Sequence, residues 1–479
     1  MPAYYAALRL PLLVCALGLY ATTTGAASLP PEPSYKGELV GDGKGGVVVR
    51  PLPPPDTRRE SRNVQDAAPV ERNPQADRRI PPERRPQVTP LPEPEPQRGP
   101  SAGPITLSVG ASQKIRTIAQ AAKIARSGDT ILVEPGVYAG DVAVFTQDNL
   151  TIRVAGGRAR LNASGASAEG KAIWVVRGGH IVVENFEFVG ARVPNRNGAG
   201  IRFEKGKLVL RNCLFRDNEN GILTSGNKEA ELEIENSEFD RNGTADGFGH
   251  QLYAGEIASL KVSGSYFHNA LGGHLLKSRA AINNIMYNRL SDEAGGEAGY
   301  ELEFPNGGQS YVVGNIIEQS ATTQNPAIVA VGLEGYRWPK NALYLINNTI
   351  IDDLPTKGVF LRTAPGMQLF KATNNLLVGE RGHDMGIFSG DVKNATRQGD
   401  EGLKTDVRNN FGTAREEFAQ AAQFDYRVRE KSTLAGKFQA PGNANGVDLT
   451  PRAEYAHPAQ TRRLGAAPTL PGALQSVAR

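Results

Sequence analysis

From about residue 106 onward, short apolar runs rich in β-branched residues alternate with single polar corners. Leu208-Val209-Leu210-Arg211-Asn212-Cys213-Leu214-Phe215 shows the unit: strand, asparagine, strand. Leu343-Tyr344-Leu345-Ile346-Asn347-Asn348-Thr349-Ile350 repeats it. The asparagine recurs as Asn185, Asn212, Asn236, Asn284, Asn315, Asn348 and Asn375, with separations of 24 to 33 residues inside the two runs. Between Asn236 and Asn284 one more coil fits, with Gly264 in the corner. A period in this range marks a stacked architecture. Asparagine tolerates the left-handed backbone of a corner, and stacked asparagines hydrogen-bond as a ladder. Leucine-rich repeats need denser leucine, and propellers need four strands per unit. The pattern therefore predicts an all-β, right-handed parallel β-helix over 105–412, with a closing segment and tail over 413–479.

Ahead of the repeat, Ile115, Ile118, Ala119, Ala122 and Ile124 recur at helical spacing. They predict one amphipathic helix from Gln113 to Arg126. A solenoid end exposes apolar side chains and strand edges, so this helix is expected to cap the first coil. Thr130-Ile131-Leu132-Val133 then reads as a strand and Pro135-Gly136-Val137-Tyr138 as a turn.

The N-terminal hundred residues differ in kind. Arg9 precedes an apolar run from Leu10 to Tyr20, and the small residues Thr24-Gly25-Ala26-Ala27 follow. Residues 1–27 read as a signal peptide, so the chain is expected to be exported, to the periplasm or beyond. No integral membrane segment is expected once it is removed. Cys15 lies in that run behind Val14, where a lipoprotein signal wants a small residue, which leaves Cys213 alone in the mature chain. Stability must then come from packing and not from a disulfide. Residues 28–104 carry proline clusters such as Pro51-Leu52-Pro53-Pro54-Pro55 among mixed charges, the composition of a disordered linker. The net charge of +4 is spread among interspersed acids and bases. Nucleic acid is not an expected partner, and a monomer is expected.

Chemistry is sought on an outward strand face. Coils aligned by an opening glycine place Gly221-Ile222-Leu223-Thr224-Ser225 against Gly249-His250-Gln251-Leu252-Tyr253. Gly273-His274-Leu275-Leu276-Lys277 and Gly299-Tyr300-Glu301-Leu302-Glu303 follow. Side chains alternate along a strand and coils stack about 4.8 Å apart. Leu252, Leu276, Leu302 and Val329 are thus expected to stack inward. Tyr253, Lys277 and Glu303 should form one outward column, and Gln251, Leu275 and Glu301 a parallel one. His250 and His274 share the phase of the inward residues. Arg279 lies two residues beyond Lys277, and Pro305-Asn306-Gly307-Gly308 is a turn beside the face.

This set has the composition that uronate elimination requires. A base must take the proton beside a carboxylate, and a cation must neutralise that carboxylate. Lys277 is the candidate base, its pKa lowered by Arg279, and Arg279 the candidate carboxylate clamp. Tyr253, His250 or His274 would protonate the leaving oxygen. Glu301 and Glu303, with Asn306, offer oxygen ligands for calcium. Trp338, beside Tyr336, is either a sugar platform or a loop anchor. The structural alternative makes Lys277 and Glu303 a plain surface ion pair.

Gly128-Asp129-Thr130-Ile131 with Pro135-Gly136-Val137-Tyr138 resembles the start of the pectate-lyase-like β-helix superfamily. Phe424-Asp425-Tyr426-Arg427, Ser432, Gly436 and Gly465-Ala466 resemble its closing segment, so the likeness spans about 106–466. Leu275-Leu276-Lys277-Ser278, with Asn283 and Asn288 behind it, resembles the Lys-Ser strand of polysaccharide lyase family six. That resemblance implies Lys277 as base, an assisting arginine on the next coil and a calcium ion. Here His274 replaces the family's acidic residue, and Tyr300–Phe304 carries no arginine. Three functions follow as expectations: a lyase acting on an acidic polysaccharide, a non-catalytic glycan-binding or structural β-helix protein, and a glycoside hydrolase. The last lacks a paired-carboxylate strand on this face.

Overall fold

The computed structural model describes residues 37–41, 47–51, 103–323, 325–356, 358–379 and 402–478. The chain divides into two compact units, Met1–Pro94 and Glu95–Arg479. In the first, Gly37–Gly41 pairs antiparallel with Val47–Pro51. The expected signal peptide, residues 1–27, and the rest of the proline-rich stretch through residue 102 lie outside the described residues.

The second unit is a parallel β-solenoid of three sheets, with twelve, eleven and nine strands. One coil gives one strand to each: Tyr300–Phe304 to the nine-stranded sheet, Gln309–Val313 to the twelve-stranded, Ile316–Gln319 to the eleven-stranded. Apolar side chains of successive coils stack in columns along the interior. Trp174, Ile201, Ile222, Leu252, Leu276, Leu302, Val329 and Leu361 form one inward column, in which Leu252, Leu276, Leu302 and Val329 are the neighbours the pattern predicts. On the eleven-stranded sheet Phe188, Phe215, Phe239 and Phe267 stack with ring centroids 4.9, 4.9 and 4.4 Å apart.

The asparagine corner holds two adjacent positions that the spacing merges into one. Asn185, Asn212 and Asn236 are the left-handed residues, with φ of 69°, 51° and 50°. The ladder is the residue after them. Ser265, Asn288, Asn315, Asn348, Asn375 and Asn410 join it, each accepting backbone N–H from the coil before at 2.9 to 3.0 Å from Asn288 onward. Asn284 belongs to neither position: it sits mid-strand between Lys261 and Tyr311. Cys213 opens the same ladder, buried and unpaired.

The α-helix runs only from Ile118 to Ile124. Thr117 caps it with Gln120 in a reciprocal capping box, and Asp141 accepts from the N–H of Ile118 and Ala119 at 2.6 and 2.9 Å. The expected first turn is instead a tight loop, because Gly110 N–H donates to Ile115 and Gln113 N–H to Gly110. Ile118, Ala121 and Ala122 are buried with Leu107 and Val109 in the main core. No helix among the described residues is long and apolar enough to cross a membrane.

After the last solenoid strand, Phe411–Thr413, the chain turns back along the flank. Tyr426, Val428, Leu470 and Leu474 pack on Ile316, Ile351, Leu376 and Val378. Asn347 Nδ2 donates to the carbonyls of Leu470 and Gly472 at 3.1 and 3.2 Å. This segment covers the side beside the asparagine corner and leaves the nine-stranded sheet free.

Candidate functional site

The nine-stranded sheet carries the site. Its outward column reads Arg202, Leu223, Tyr253, Lys277, Glu303 along successive coils. The expected Tyr253–Lys277–Glu303 column is therefore present. The glycine alignment slips by two residues at its start, since Ile222 pairs with Leu252 and not with His250. A two-residue slip keeps every face, so the column survives.

Strict alternation fails at the head of each strand. The chain enters the sheet through a bend at Gly273, where φ is +70°. His274 then points out, while Leu275 and Leu276 both lie in the core with no exposure. This corrects two expectations. The Gln251, Leu275, Glu301 column faces inward, and Glu301 is wholly buried with neither carboxyl oxygen partnered. His250 and His274 face outward and pack ring on ring at 4.7 Å, with Tyr300 5.0 Å beyond.

The calcium set is therefore scattered. Glu301 and Glu303 lie on opposite faces of one strand. Asn306 Oδ1 accepts from Arg279 Nη1, and its Nδ2 donates to Gly335 O at 2.9 Å. These residues do not fit a calcium site. Among the described residues no three His, Cys, Asp or Glu side chains group as metal ligands do.

Lys277 is not a solvent-facing lysine. Its Nζ lies 2.9 Å from Glu303 and 2.8 Å from Glu334, and the residue is 9% exposed. Burial pushes its pKa down, but the two carboxylates outweigh burial and the net direction is up. This reverses the expected lowering by Arg279. Burial likewise raises and Lys277 and His274 lower the Glu303 carboxyl, with a net fall. His274 Nε2 lies 3.0 Å from Glu303 Oε2; it and Lys277 approach that oxygen out of hydrogen-bond alignment. His250 Nδ1 accepts from the His274 N–H at 3.0 Å, which leaves the proton of the neutral ring on Nε2. Burial, then the neighbouring His274, Lys277 and Arg279 side chains, hold its pKa well below the usual imidazole value.

Arg279 is the hub. Its Nε donates to Tyr253 Oη at 2.7 Å, its Nη2 lies 2.6 Å from Glu334, and its guanidinium stacks 5.6 Å from the Tyr253 ring. Glu334, which sequence reasoning missed, arrives on a loop from the next-but-one coil. That loop is pinned from several sides. Glu334 N–H donates to Pro305 O at 3.0 Å, and Tyr336 Oη to Ala364 O at 2.9 Å. Trp338 Nε1 donates to Arg279 O at 2.9 Å, and Arg337 pairs with Glu256 at 2.6 Å. Trp338 is thus a loop anchor. The only available signal was the aromatic cluster Tyr336-Arg337-Trp338, which marks a packed loop but not its reach.

These residues line a cleft of about 920 Å³, with Arg202, Tyr253, Lys277, Arg279, Glu334 and Arg337 on its walls. Phe248, 80% exposed, stands at its rim.

Residues 136–391 match the family described as "Right handed beta helix region", and the chain belongs to that family. Among solved structures it is similar to the pectate lyase Pel9A, at 13% identity and a TM-score of 0.47, over 78% of this chain and 97% of that one. It is also similar to the PL6 family alginate lyase AlyGC, at 14% identity and a TM-score of 0.24, over 64% of this chain and 51% of that one. No curated protein matches it in sequence. The likenesses concern the fold; neither assigns a reaction to this chain.

Proposed function

We propose that the chain is an exported carbohydrate-active protein that binds an acidic polysaccharide in the cleft and cleaves it by β-elimination. One observation carries this reading: Lys277 and Arg279 converge on a single carboxylate, that of Glu334. A uronate carboxyl of the ligand would take the same two cations and displace Glu334, which is half-exposed on its loop. Neutralising that carboxylate acidifies the neighbouring C–H. Lys277 Nζ first passes its proton to the displaced Glu334 carboxylate, leaving Arg279 to hold the uronate, and the neutral amine then takes the C–H proton; the C–H pair becomes the new double bond and the C–O bond to the leaving sugar breaks. The Tyr253 hydroxyl, whose oxygen already accepts from Arg279, returns a proton to the leaving oxygen.

A second reading rests on a specific observation. Lys277 is held charged by Glu303 and Glu334, which suits a ligand clamp better than a base. In that reading the cleft binds acidic glycan without cleaving it. Incubation with a panel of uronate polymers, read by absorbance of the unsaturated product and by isothermal titration, separates the two. Product that vanishes in Lys277→Ala supports the lyase. Binding without product supports the clamp. Neither binding nor product overturns both. Glu334→Gln should tighten binding, because it removes the internal competitor.

A further inference from the structure

The Lys277–Arg279 pair occupies only one end of the cleft. Arg202 stands in the same outward column, three coils earlier, with Leu223 and Tyr253 between. Stacked strands put it about 14 Å from Lys277 along the solenoid axis. Its Nε is buried and has no hydrogen-bond partner. The carboxylates that line the cleft, Glu256 and Glu334, are engaged by Arg337 and by Lys277 with Arg279. Around Arg202 the walls are neutral: Asn197, Asn220, Thr224 and Ser225. Glu204, two residues on along the chain, is taken by Lys171 and Arg177 at 2.8 and 2.9 Å; a cation in a cleft with an unmet donor and no ion pair among the described residues is a site that lacks its anion. Between the two cationic ends lie an apolar side chain and a tyrosine, and Phe248 presents an open ring at the rim. Sugar rings offer apolar C–H faces to such surfaces.

We propose that Arg202 is a second anchor, which takes another carboxylate of the same acidic oligosaccharide while Phe248 packs against a ring between the two ends. The cleft then selects for chain length as well as charge. A disaccharide reaches only the Lys277–Arg279 end, and a chain of several residues reaches both. This inference rests on the acidic-glycan reading of the cleft.

The test is isothermal titration of the full chain with uronate disaccharide and hexasaccharide, for the parent, Arg202→Gln, Phe248→Ala and Arg279→Gln, each checked for an unchanged circular-dichroism melt. The parent should bind the hexasaccharide more tightly than the disaccharide. Arg202→Gln should weaken the hexasaccharide about ten- to hundredfold, the worth of a charge-assisted hydrogen bond, and leave the disaccharide unchanged. Phe248→Ala, at an exposed position, gives a variant whose folding is not at stake and should lower hexasaccharide affinity alone. Arg279→Gln should weaken both ligands. Full hexasaccharide affinity in Arg202→Gln and Phe248→Ala, with loss in Arg279→Gln, overturns the second anchor and keeps the acidic-glycan reading. No binding of either ligand by the parent overturns both.

Discussion

Glu301 lies inside the solenoid, in a column where the coil before supplies Leu275 and the coil after Ile328. It is fully buried, and neither carboxyl oxygen has a partner. Burial, then the nearby acids Asp292, Glu318 and Asp352, pushes its pKa well above the ordinary 4.5. The folded state therefore binds a proton that the unfolded chain releases. Below the ordinary value both states are protonated and the shift costs nothing. As pH rises from there towards the folded value, the folded state loses stability relative to the unfolded. Glu301→Leu should remove that cost and complete an apolar ladder. Even as a neutral acid the side chain leaves polar atoms unmet, a cost of about 1–3 kcal/mol; imperfect fit of leucine returns less than about 1.5 kcal/mol. The variant should gain about 1 kcal/mol at about pH 4 and more at about pH 8. Urea unfolding followed by far-ultraviolet circular dichroism at both pH values measures this. A variant no more stable than the parent, or a difference that stays flat with pH, refutes the reasoning.

Other outcomes follow from the same contacts. Leu276→Ala opens a void in the inward column and should cost about 2–5 kcal/mol in unfolding free energy. Lys277→Ala strands the buried Glu303 carboxylate and should cost about 3 kcal/mol, well beyond the half kcal/mol expected of an exposed lysine. Asn348→Ala removes the acceptor of the Asn315 N–H and the donor to Val312 O, so it should cost about 3 kcal/mol and speed hydrogen exchange at Asn315. Burial raises and the Lys277 and Arg279 contacts lower the Glu334 carboxyl, with a net fall. Its hold on the loop is thus complete above the ordinary carboxylate value and lost as pH falls through the lower folded one. Trp338 fluorescence should change in that acid range and stay flat in Glu334→Gln.

The sequence alone determined the solenoid, because each coil buries its apolar residues at positions that recur along the chain. The inward Leu252–Leu276–Leu302 column and the outward Tyr253–Lys277–Glu303 column were legible for the same reason, since a period of two is a local property of a strand. Tertiary structure decided the rest. Alternation breaks at the head of these strands, which leaves Leu275 beside Leu276 and Glu301 beside Leu302 buried together, and no period of two contains that break. Glu334 reaches Lys277 across 57 residues of chain, and Arg202 shares the column only through register. The charge state of Lys277 depends on those long-range neighbours, so its sequence neighbour Arg279 was a poor guide to its pKa. The path of the C-terminal segment was set likewise, by apolar side chains on the flank of the finished solenoid that no single coil displays.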